Sequence, residues 1–202
     1  MDTLPCPLIR ALFLALLALA VGCSSTPAKV YQSVPSAKVS RVVLAIDNRD
    51  ATGDLSQNPI LFEMVRTDAV ARLKTAGYAV TEIGDMVVND DWLNAVSGDG
   101  YTHILYAHFS PSSETTKVAT DASGRVYSYQ AVDVPLRCSL LTVPEKKMLA
   151  QTTVNAITRG KSQFDLAMER VNPVPPEVVY AEAIEYACKS VLDAMHGDRS
   201  GT

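Results

Sequence analysis

Three histidines, four cysteines and two acidic pairs are the residues of this 202-residue chain that could do chemistry. His103 and His108 lie five apart in one apolar run. On a strand that odd spacing sends them to opposite faces, which defeats a shared metal site. His196 lies in the polar end of the chain. Asp90-Asp91 and the Asp47/Asp50 pair are the acidic candidates. General acid–base work needs two carboxylates converging in a cleft, whereas neighbours on a loop or helix start cap and solvate. Asp47-Asn48-Arg49-Asp50 leaves two readings open. Arg49 offers a guanidinium to an acidic partner, or it closes a local turn network. No GxSxG, HExxH or phosphate loop occurs. No catalytic residue, metal or cofactor is expected.

Cys23 has the most specific surroundings. Ala11 to Gly22 is a run of twelve small and apolar residues behind Arg10. As a helix it spans about 18 Å, short of the roughly 30 Å hydrocarbon core, and so suits a signal-peptide core. Ala20-Val21-Gly22-Cys23 at its end resembles the lipobox of bacterial lipoproteins, with Ala20 where Leu is more usual. The resemblance implies cleavage after Gly22, a diacylglyceryl group on the Cys23 thiol, and acylation of the new amino terminus. One acyl chain binds a membrane only marginally, and two or more hold it stably. Ser24 rather than Asp follows the cysteine, which resembles the outer-membrane class. Residues 1–22 are therefore expected to be a signal peptide, and the Ser-, Pro- and Ala-rich residues 23–37 a lipidated tether.

Cys6 leaves with the signal peptide, so Cys138 and Cys188 remain. An exported protein meets an oxidising compartment. Cys138 alternates with Val134, Leu136 and Leu140, and Cys188 shares a helical stripe with Ala181, Ile184, Val191 and Met195. Both face a core. They form a disulfide if the helix covers that strand, and otherwise pack as separate thiols.

The elements that position these residues follow from periodicity. Residues 40–47 read as a buried strand. Asn58 caps a helix with Pro59 in its first turn, Gly77 ends it, and Ile60, Leu61, Met64, Val65, Ala69, Leu73 and Ala76 form its apolar stripe. Residues 78–83 form a second strand, 90–96 a short helix, and 101–109 a third strand. A long Ser/Thr-rich hairpin arm turns at Asp121-Ala122-Ser123-Gly124. The fourth strand carries Pro135, expected at an edge or bulge, and residues 148–157 form the fifth. The last helix spans 177–195. The order β-α-β-α-β-β-β-α defines an α/β (α+β) domain, a mixed sheet of about five strands with two main helices, over 38–196. Residues 197–202 are a tail. In the arm, Tyr127 and Tyr129 share one face. They either meet a partner, as tyrosines at interfaces do, or cover the sheet's open edge. Val171 to Pro176 is a stiff extended stretch that either docks or simply loops.

Composition removes other classes. With 48% hydrophobic and 20% charged residues the chain is not disordered. With a net charge of −4 and no basic run it is not a nucleic-acid binder.

Three segments, 42–50 (VVLAIDNRD), 98–109 (GDGYTHILYAHF) and 136–151 (LRCSLLTVPEKKMLAQ), carry a further likeness. In that order behind a lipobox, they resemble a loose group of envelope lipoproteins. The group includes the penicillin-binding-protein activators, the curli-secretion lipoprotein and the amino-terminal domain of the Tol-Pal β-propeller protein. The resemblance implies function by binding. The chain is expected to be a non-enzymatic lipoprotein of the outer membrane, on its periplasmic face, assisting envelope assembly with an envelope protein as partner. The alternative is an oligomeric ring subunit of an export apparatus.

Overall fold

A computed structural model describes residues 24–32, 42–82, 90–120, 123–143, 145–159 and 174–197. The expected signal peptide through Gly22, Cys23, residues 33–37 of the expected tether and the expected tail from 198 onward lie outside them, as do residues 171–173 of the 171–176 stretch.

Val42–Asp47 (β3) is apolar on both faces because both faces are covered. It pairs in parallel with Val80–Glu82 (β4) on one side and His103–Phe109 (β5) on the other. The chain crosses from β3 to β4, then back over β3 to β5. Right-handed crossovers in opposite directions need their helices on opposite faces. Pro59–Thr75 (α2), after the single turn Asp54–Gln57 (α1), accordingly packs on Val42 and Leu44, while Asp90–Gly98 (α3) packs on Val43, Ala45 and Ile104.

The antiparallel half follows. Val126–Thr142 (β7) pairs first with Ser113–Thr120 (β6) and then with β5, and Met148–Arg159 (β8) runs along its other side. Pro176–Gly197 (α4) lies over β7 and β8 beside α2. Alanines 181, 183 and 187 on its buried face bring the helix close to the sheet. The sheet is open and mixed, in the order Ser24–Ser25 (β1), β8, β7, β5, β3, β4, with Lys29–Val30 (β2) also on β8.

Four expectations change. Among the described residues the sheet has eight strands where about five were expected, because the arm contributes β6 and the expected tether contributes β1 and β2. Residues 24–32 are thus built into the domain, antiparallel to β8. The buried arc of α2 runs through Leu61, Phe62, Val65, Ala69 and Leu73, leaving Ile60 72% and Met64 47% exposed, because α4 selects which side is covered. Finally, Pro135 lies mid-strand, opposite Asn155 and away from the irregularity at Leu140/Leu141. A residue's N–H and C=O point to the same edge of a strand, and the Pro135 carbonyl accepts from Ser110 N–H at 2.8 Å. The missing donor therefore falls in the gap between β5, ending opposite Leu136, and β6, starting opposite Asp133.

Candidate functional site

The carboxyl ends of β3 and β5 meet where the chain leaves a parallel sheet in two directions, the position at which open α/β sheets commonly bind ligands. Asp47 and His108 are in register there. Arg49 folds back on Asp47, its Nε and Nη2 donating to the two carboxylate oxygens at 2.9 and 2.6 Å and its backbone N–H to Oδ1 at 3.0 Å. The Tyr106 hydroxyl donates to Oδ2 at 2.5 Å. His108 sits between two carboxylates, with Nδ1 3.5 Å from Asp47 and Nε2 3.2 Å from Asp50. Its ring stacks at 6.0 Å on that of Tyr106, two residues earlier on the same face.

The electrostatics follow from these contacts. Burial by itself would raise the Asp47 carboxyl. Hydrogen bonds from the Arg49 side chain, the Tyr106 hydroxyl and the Arg49 backbone, with the Arg49 charge, hold it well below the usual carboxylate range. Burial and the bond to Asp47 push Tyr106 up to about 12. Arg49 closes a local network on Asp47, and half of its side chain is exposed.

His103 lies on the opposite face of β5 from His108, buried beside the Thr102 hydroxyl, and burial lowers its pKa. Asp91 is exposed in the first turn of α3. Among the described residues no group of three His, Cys, Asp or Glu could hold a metal ion. Cys138 on β7 and Cys188 on α4 do meet. Their sulfurs are 3.7 Å apart in the core, both as thiols. The contact with Cys138 and complete burial push the Cys188 thiol up.

The arm is stiffened across its strands. Lys117 Nζ donates to Asp133 Oδ1 at 2.9 Å and the Thr115 hydroxyl to Oδ2 at 2.8 Å. Burial would raise the Asp133 carboxyl, and the bonds from Lys117 and Thr115 override it and lower its pKa. Tyr129 is half-buried opposite Lys117, and the Tyr127 side chain lies outside the described residues. Near the tip Val118 and Val126 are 68% and 69% exposed, on the face opposite Lys117 and Tyr129.

The element that sequence reasoning missed is the β1–β2 edge. Thr26 N–H and hydroxyl both donate to the Thr153 carbonyl at 3.1 Å, and the Thr152 hydroxyl donates to the Thr26 carbonyl at 2.7 Å. Tyr31 and Gln32 N–H groups both donate to the Leu149 carbonyl. These are mainly backbone bonds to a distant strand, and the run SSTPAKV has no alternation to announce them. Lys29 lies over the Tyr31 ring at 5.0 Å.

No family model matches the chain, and no curated protein does. Solved structures do. A PelC dodecamer from Paraburkholderia phytofirmans is 13% identical, covers 85% of this chain and 99% of its own, and superposes with a TM-score of 0.49. Lipoprotein GNA1162 from Neisseria meningitidis is 13% identical over 64% of this chain and 92% of its own, with a TM-score of 0.38. A minor lipoprotein from Acinetobacter baumannii is 7% identical over 80% and 95%, with a TM-score of 0.35.

Proposed function

We propose that this chain is a non-enzymatic lipoprotein of the outer membrane, held on the periplasmic face by acyl chains on Cys23, and an adaptor or accessory factor in envelope assembly. The observation that carries the reading is the position of Ala20-Val21-Gly22-Cys23. The motif closes an apolar run too short to span a bilayer, and its cysteine directly precedes a strand of the folded domain. Among the described residues no helix is long and apolar enough to cross a membrane. The arm offers the surface for an envelope partner, with Tyr129 and the exposed valines carried on a stiff hairpin. Intact-mass analysis of the mature protein tests the anchor. The expected chain begins at Cys23 and carries the lipid mass, and Cys23→Ala leaves the membrane fraction. A bare thiol, or a Cys23→Ala protein still in membranes, overturns the reading.

A second reading is a ring subunit of an export apparatus. What favours it is the arm itself. Among the described residues β6 pairs only with β7, which leaves its outer strand edge beside the exposed Val118 and Val126. Light scattering on the mature domain tests it, and a monomer at high concentration removes it.

A further inference from the structure

The strand built from the expected tether has a consequence for how the domain meets the membrane. Ser24 is in register with Asn155 on β8. Cys23 therefore has a single peptide, about 3.8 Å, between itself and the sheet edge, where a free tether of 15 residues would leave the domain to tumble. The same pairing fixes direction. β1 runs antiparallel to β8, so the chain leaves Ser24 toward the end of the sheet that carries the arm. Asn155 lies opposite Pro135, and from Pro135 to Val126 the arm continues for about 30 Å at ~3.3 Å per residue.

An anchor at Cys23 places the start of β1 at headgroup level. Strands standing upright, arm first, would drive the arm into the hydrocarbon. The arm is a two-stranded hairpin rich in Ser and Thr, with Lys117 and Asp133 in it. Its open edges would have no hydrogen-bond partners there, and unsatisfied backbone groups are costly in hydrocarbon. Strands lying along the surface avoid this. The composition of the edge points the same way. Beyond β1 it presents Lys29, Val30 and Tyr31, with Val30 39% and Tyr31 50% exposed. Tyrosine favours the headgroup level, and lysine is drawn to anionic lipid.

We infer that the β1–β2 edge lies flat on the leaflet that holds the Cys23 acyl chains, with Lys29 and Tyr31 on the headgroups and the strands parallel to the membrane plane. The inference rests on the lipid-anchored reading above. The full chain is matured in cells carrying Tyr31→Cys, Ile60→Cys or Val126→Cys, labelled with an environment-sensitive fluorophore, and placed in vesicles of phosphatidylethanolamine and phosphatidylglycerol containing a brominated lipid. All three positions are exposed, and the buried Cys138 and Cys188 do not label in the folded protein. The expected result is a blue shift and quenching at 31 and neither at 60, which lies on α2 toward the opposite edge. A lipidated protein whose label at 31 stays in water, or whose label at 126 is the deeper one, overturns the inference and leaves the anchor standing. A mass without lipid on Cys23 overturns both.

Discussion

Asp47 keeps a charge where burial opposes it, and the groups that hold it there can be removed one at a time. Asp47→Asn leaves Arg49 and Tyr106 with a poorer acceptor and is expected to cost about 2–3 kcal/mol at neutral pH, read from urea unfolding. The pH dependence has a definite sign. The folded carboxyl titrates well below the unfolded one, which lies near 4. Its contribution is therefore present above about pH 4 and is lost as pH falls below that. In Asp47→Asn the decline of stability below pH 4 is expected to be shallower, and an unchanged decline would mean that the bonds to Arg49 and Tyr106 do not form. At the other buried pair, the sulfurs of Cys138 and Cys188 stand 3.7 Å apart, and the contact with complete burial pushes the Cys188 thiol up. Exchange needs a thiolate and access, so the bond is expected to form while the chain folds with a disulfide oxidant rather than afterwards. Such protein should be two hydrogens lighter by mass and, through the closed loop, roughly 4 kcal/mol more stable than the reduced form. A native fold made under oxidising conditions with two alkylatable thiols after denaturation would refute this.

Among the elements, α2 is the one whose ends were written locally. Asn58 Oδ1 accepts from Leu61 N–H at 3.1 Å, and Gly77 takes a φ of 90 just past the last turn. Asn58→Ala is expected to cost about 1 kcal/mol through the lost cap, and Gly77→Ala a similar amount through backbone strain, since the space around it is open. Both should appear as a lower urea midpoint with an unchanged slope. What these residues could not show is which side of α2 is buried. Ile60, Met64 and Phe62 are all apolar, and the choice is made by α4, more than a hundred residues later. The same distinction runs through the rest of the fold. The strands around β3, the arm turn at Gly124 and the facing cysteines could be read because side-chain period and turn chemistry are local signals. The tether-derived strands could not, because an edge strand of SSTPAKV is held by backbone groups of β8 and carries no pattern of its own. Pro135 reads as an edge or bulge residue, and only the change of partner from β5 to β6 explains its place. The Asp47–His108 contact likewise exists through the parallel register of β3 and β5, which no spacing in the sequence records.

At the scale of the molecule, the two ends of the sheet are protected differently. β4 is a three-residue strand packed against α2, so it offers little to another chain. β8 is long, and over Ala150–Asn155 its outer edge is filled by residues 24–32. The Thr26 bonds to Thr152 and Thr153 and the Tyr31 bond to Leu149 satisfy groups that would otherwise stand open. Unpaired strand edges recruit other chains. A domain lacking residues 24–32 is therefore expected to associate at concentrations where the domain beginning at Ser24 does not, measured side by side by light scattering. The comparison also separates two routes to assembly. Association that appears only in the shorter chain runs through the exposed β8 edge and says nothing of a ring. Association already present in the longer chain, and weakened by Val118→Lys and Val126→Lys, runs through the arm, because those side chains point into water on the hairpin and support no core. If the shorter chain is as monomeric as the longer one, residues 24–32 do not cover the edge in solution. Under the lipid-anchored proposal the domain would then hang on a loose leash from Cys23, with no fixed orientation on the leaflet.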